Sequence, residues 1–114
     1  MKLQDILEVL NGLVVCGKER LNEEVETGFA SDMLSDVLTL QTNNLVLLTG
    51  LANVQTIRTA EIADIQYIVL VRKKKASPEI IELARENNQV IIECEYSMFK
   101  SAGLLFKAGL KAVY

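Results

Sequence analysis

Four short stretches carry residue types that do chemistry. Asp32 and Asp36 stand four apart, as do Ser31 and Ser35, so each pair projects from one side if the segment is helical. Two carboxylates so placed could share a proton or hold a divalent ion. No third oxygen ligand stands nearby, however, and hard cations take six or more. The alternative is a helix cap followed by a solvated acid. The chain has no His, which removes the commonest general base and nitrogen ligand, and with it any Ser-His-Asp arrangement for Ser31, Ser35 or Ser97. No catalytic residue and no metal ligand is therefore expected.

Gly12-Leu13-Val14-Val15-Cys16-Gly17-Lys18 has the spacing of a phosphate-binding P-loop up to its lysine. Its interior is an apolar run, not a loop whose amides point at phosphate, and Glu19 stands where a hydroxyl should meet magnesium. Thr49-Gly50 closes the apolar run Leu45–Leu48 just ahead of a helix. A strand carboxyl end is where open α/β sheets bind ligands, and free amides at a helix start suit an anion. An ordinary tight turn would use the same two residues. Arg72-Lys73-Lys74-Lys75 lacks interleaved aromatics for base stacking and belongs to a chain with 12 basic and 15 acidic residues. It reads as a solvated loop, and no nucleic-acid partner is expected.

The elements that position these residues follow from periodicity. Leu3, Ile6, Leu7 and Leu10 make one helical face, with Gly12 as its left-handed stop. Leu13–Cys16 and Val25–Ala30 read as strands. Ser31 is placed as the N-cap of a helix running from Asp32 through Leu40, with Asp32 in its first turn. Strands follow at Leu45–Leu48, Tyr67–Val71 and Val90–Ile92, and a short closing one at 110–113. Between them stand helices capped by Asn53, Ser77 (with Pro78 at the first helical position) and Ser97. Phe99, Ala102, Gly103 and Phe106 form the expected inner face of the last helix, which Gly109 ends. The strands are continuously apolar and alternate with helices. That pattern implies a single α/β domain, a mainly parallel sheet flanked by helices.

Composition supports this reading. Half of the 114 residues are hydrophobic and mean hydropathy is +0.24, enough for a core built from aliphatic side chains. No apolar run approaches the ~20 residues of a membrane span, and the amino terminus lacks a leader-peptide core, so a cytoplasmic domain without membrane contact is expected. Cys16 and Cys94 lie far apart in apolar runs and read as buried reduced thiols.

Gly28-Phe29-Ala30-Ser31-Asp32-Met33-Leu34-Ser35-Asp36-Val37 resembles the Gly-aromatic-x-Ser-Asp-Leu-Leu-Ser-x-Val signature of small DRTGG-domain proteins. The order and spacing of Leu45–Gly50, the helix from Asn53, Tyr67–Val71, Ser77–Ala84 and Ser97–Ala102 are similar to that family as well. The resemblance implies a DRTGG-like domain over residues 1–114, folded like the N-terminal domain of HPr kinase/phosphorylase. It also implies a non-catalytic regulatory or interaction module that homodimerises, with a further protein partner unspecified and no cofactor. The alternative it leaves is a sensor of a small anionic ligand, nucleotide or other, held at the strand carboxyl ends by Gly28, Ser31, Asp32, Thr49 and Gly50. The P-loop kinase domain of HPr kinase is not in this sequence, so kinase activity does not carry over. Two departures stand out: Asp-Arg-Thr-Gly-Gly is reduced to Glu26-Thr27-Gly28-Phe29, and a basic run replaces a loop that is often glycine-rich.

Overall fold

Strands built on continuous apolar runs need apolar cover on both faces, and the fold supplies it. A computed structural model describes residues 1–114. Every residue of β3 (Leu45–Thr49), β4 (Tyr67–Leu70) and β5 (Val90–Glu93) is buried. With β1 (Leu13–Cys16), β2 (Thr27–Ala30) and β6 (Lys111–Ala112) they form one six-stranded sheet, order β1-β5-β4-β3-β2-β6. All neighbours are parallel except β1, which runs antiparallel to β5 with a register shift between Val14 and Cys16.

Side-chain alternation splits the core in two. Val46, Leu48, Val69, Val90 and Ile92 face α1 (Leu3–Val9) and α5 (Met98–Ala108). Leu45, Leu47, Ile68, Leu70 and Ile91 face α2 (Leu34–Val37), α3 (Val54–Ile62) and α4 (Pro78–Glu86). The chain thus steps from β2 to β5 through helices on one face and returns to β6 through α5 on the other. The carboxyl ends of β4 and β5 therefore leave the sheet toward opposite faces. In such sheets ligand crevices form at this end.

Caps behave as their residue types dictate. The side chains of Asn53, Ser77 and Ser97 accept from the amides of Thr56 (2.8 Å), Ile80 (3.2 Å) and Lys100 (3.1 Å), and Gly109 takes a left-handed φ of 113°. Four local expectations are corrected. Gly12 is not the left-handed stop of α1; Asn11 is, at φ 50°. Gly12 is small because a Cβ there would lie 2.8 Å from Ile92 Cγ2 and 3.1 Å from the Glu93 carbonyl oxygen. β2 starts at Thr27, because the Val25 amide is taken by the Met1 carbonyl (2.7 Å) instead of the sheet.

The helix after β2 is a single turn with Met33, not Ser31, at its N-cap. Side chains there compete with the helical backbone: Ser31 Oγ accepts from the Met33 amide (2.9 Å), and Thr39 Oγ1 donates to the Asp36 carbonyl (2.7 Å). Asp32 thus precedes the helix and shares no helical face with Asp36. Finally, α5 buries Ser101 and Leu105, while Phe99 and Phe106 point outward, 90% and 71% exposed. A helix apolar on most sides does not reveal by sequence which stripe meets the sheet.

Candidate functional site

The backbone brings the ends of β2, β3 and β4 together, and with them residues remote in sequence. Ser31 extends the β2–β3 pairing through its amide, which donates to the Leu48 carbonyl (3.0 Å). The next residue, Asp32, turns back over the end of β3. Its Oδ1 accepts from the Thr49 hydroxyl (3.0 Å) and from the Gly50 amide (2.6 Å). Thr49 is fully buried, and its Oγ1 also accepts from the Leu51 amide (3.2 Å). The Ser31 hydroxyl makes only the local turn with Met33.

Arg72 completes the cluster. Its Nη2 donates to Asp32 Oδ2 at 3.4 Å and to the Gly50 carbonyl at 3.3 Å. Gly50 makes this approach possible, since a Cβ there would overlap the guanidinium. Arg72 and Lys73 both hold left-handed backbones, at φ 62° and 61°. That conformation costs roughly 1–2 kcal/mol per non-glycine residue. It is held in place by amide bonds from Arg72 to the Tyr96 carbonyl (2.8 Å) and from Lys73 to the Cys94 carbonyl (3.1 Å). Strained backbone of this kind concentrates at functional sites.

The basic run is thus more than the solvated loop that its composition suggests. Arg72 pairs with Asp32, and Lys75 pairs with the buried Glu93 (3.5 Å), which also accepts from the Ala76 amide (2.8 Å). Only Lys73 and Lys74 reach into solvent without a carboxylate partner. Sequence reasoning set Arg72 aside because the run lacks interleaved aromatics and the chain is acidic overall. No local pattern marked it: Arg72 is placed by register, since β3 and β4 are parallel with Thr49 opposite Leu70 and the residues just past each strand are neighbours.

Of the five candidate residues, Asp32, Thr49 and Gly50 are bonded to one another and Ser31 adjoins them. Gly28 lies inside β2, between Val46 and Ala112, and faces α5. It lines a different feature, an apolar cavity of about 360 Å3 between α5 and the β2–β6 edge. Leu48, Leu105 and Leu110 form its floor, with Phe99 and Phe106 at its rim. A Cβ at Gly28 would come within 2.7 Å of Leu110 Cδ2.

A second polar network lies at the opposite end of the sheet. At the amino end of β4, the Tyr67 hydroxyl donates to Glu23 (2.7 Å), which also pairs with Arg20 (2.7 Å). Burial, aided by the Glu23 carboxylate, pushes the Tyr67 phenol up to about 12. The Arg20 hydrogen bond holds Glu23 below its ordinary value, and Arg20 is raised in return. Arg20 also donates to the Asn88 carbonyl and the Gln66 side chain, so the network ties the 3-10 turn Lys18–Arg20 to the sheet. No group of three metal-ligating side chains occurs, and no helix is long and apolar enough to cross a membrane.

Comparison with known proteins adds the following. The family model of the DRTGG domain matches residues 5–108. No curated protein sequence matches the chain. Among solved structures, the fold is similar to that of the CBS and DRTGG domains of the regulatory region of Clostridium perfringens pyrophosphatase, complexed with its activator diadenosine tetraphosphate. The TM-score is 0.72 at 18% identity, over 91% of this chain. This chain spans 45% of that one. The likeness establishes the α/β architecture.

Proposed function

The chain belongs to the DRTGG-domain family, and on that premise we propose that it is a non-catalytic regulatory module that acts by self-association into a homodimer. One observation carries this reading: α5 turns Phe99 and Phe106 to solvent beside an apolar cavity at the sheet edge. Exposed apolar surface of this kind marks interaction sites. Burying each phenylalanine against a second copy would contribute about 1.5–3 kcal/mol. Lys100 lies over the Tyr96 ring at 3.9 Å, which keeps its charge off this face. In a two-fold dimer the same surface serves both partners, so one helix face suffices. Sedimentation at micromolar concentration is expected to show a dimer, and the Phe99→Asp/Phe106→Asp variant a monomer with unchanged circular dichroism. A wild-type monomer at that concentration would exclude the homodimer.

A second reading is favoured by Arg72. Its guanidinium, the Gly50 amide and the Thr49 hydroxyl converge at the strand carboxyl ends. Such a donor set suits a small anionic ligand, a nucleotide or another phosphate ester. The pyrophosphatase regulatory region, with its bound dinucleotide activator, is in keeping with such a role. A ligand at 100 times its Kd adds about 2.7 kcal/mol of stability. That is a melting-temperature rise of about ten degrees for a chain this size. A thermal-shift screen of nucleotides and phosphate esters in which none stabilises either the wild type or the Asp32→Ala chain removes this reading.

A further inference from the structure

We propose that Asp32 is a built-in competitor for the anion site: its carboxylate takes the place of a phosphoryl group over β3, and its withdrawal opens the site. This rests on the second reading above and adds its regulation. The Asp32 carboxylate is bound as a free anion would be, by a backbone amide, a hydroxyl and a guanidinium. It therefore demonstrates what the donors prefer. It is also reachable from solvent. Asp32 sits on the Ser31–Met33 link between β2 and a single-turn helix, and its side chain is 38% exposed.

The receiving side is only partly used. Arg72 donates through Nη2 alone, which leaves Nε and Nη1 without partners, and its side chain is 47% exposed. Lys73 and Lys74 follow it in solvent. A carboxylate offers two oxygens and one negative charge, whereas a phosphoryl group offers three oxygens and up to two charges. The unused guanidinium nitrogens match that difference. With Asp32 in place an incoming phosphate meets both a competitor for the Gly50 amide and a like charge. Groups tethered this closely compete at millimolar effective concentration or above. A ligand or partner that draws the Ser31–Met33 link away would thus switch the site on.

The test uses inorganic phosphate as probe, with calorimetric titration and thermal shift on the wild type, Asp32→Ala and Asp32→Ala/Arg72→Ala. Phosphate is expected to bind Asp32→Ala at least about tenfold more tightly than the wild type, and the gain is expected to vanish when Arg72 is also removed. A folded Asp32→Ala chain that binds phosphate no more tightly than the wild type overturns the proposal. So does a gain that survives loss of Arg72. Should Asp32→Ala not fold, Asp32→Asn is judged by the same criterion: it keeps an acceptor for the Gly50 amide and removes the charge and the acceptor that faces Arg72. The underlying reading fails separately. If the wild type binds a nucleotide and the Asp32 variant gains nothing, only the competitor role is lost. If the variant gains phosphate while no nucleotide or phosphate ester stabilises either the wild type or the variant, the competitor role stands for inorganic phosphate alone and the ligand-sensor reading falls.

Discussion

Gly50 and Gly17 lack side chains for different reasons, and substitution should separate them. At Gly50 the atoms nearest a Cβ would be those of the Arg72 guanidinium, the far end of a flexible and half-exposed side chain. Arg72 can swing aside, losing an exposed ion pair worth about 0–1 kcal/mol. Gly50→Ala should thus lower stability by less than about 1 kcal/mol in urea unfolding. Gly17 has φ 82°, and its Cβ would lie 3.1 Å from the Cα of Val90. Strained backbone and an immovable neighbour add, so Gly17→Ala should cost about 2 kcal/mol or more in the same assay. At Tyr67 the folded state favours the neutral phenol. Its pKa is raised from 10 to about 12, so this contribution is full below pH 10 and is lost as pH rises from there toward 12. Absorbance titration of the native chain should show one of its three tyrosines ionising near pH 12, and Tyr67→Phe should remove that late step.

Among the elements, helix starts are the most informative. Asn53 satisfies both the Thr56 amide and the Thr56 hydroxyl, on a nine-residue helix packed against the sheet. Asn53→Ala should cost about 1 kcal/mol. Ser31→Ala should cost less than about 0.5 kcal/mol, since it removes only a local turn contact ahead of a four-residue helix capped by Met33. Chemical denaturation of the two variants side by side checks both. Equal losses would mean that Ser31 does cap a longer helix in solution. α5 teaches the complementary lesson. Its stop at Gly109 and its cap at Ser97 were readable from residue type, but its orientation was not, because Leu105 and Phe106 are equally apolar neighbours.

At the scale of the whole molecule the sheet separates two cores. Cys16 lies in the one with α3 and α4, and Cys94 in the one with α1 and α5. Their thiols donate to carbonyl groups of Gln89 (3.3 Å) and Leu10 (3.5 Å), and burial pushes the Cys16 thiol up. A disulfide between them would have to cross the sheet. Thiol labelling of the native chain should therefore follow structural opening, with both sites becoming reactive together in denaturant. Reductant should leave the melting temperature unchanged. Rapid labelling of either thiol in the native state would show that its core opens on its own.

The sequence by itself determined the fold class, the strand positions and most caps, because these depend on residue type and local spacing. Continuous aliphatic runs require a sheet covered on both faces, and Asn53, Ser77-Pro78, Ser97 and Gly109 act on backbone groups within three or four residues of themselves. It also placed Thr49-Gly50 at a strand carboxyl end and Ser31-Asp32 at a strand-to-helix junction. Only the tertiary structure decided that these two stretches meet, with Arg72 over both. That meeting depends on strand order and register between segments 17 and 40 residues apart, which no local pattern encodes. The same holds for Phe99 and Phe106. Which side of an apolar helix is left uncovered is settled by what the sheet presents to it, not by the helix alone.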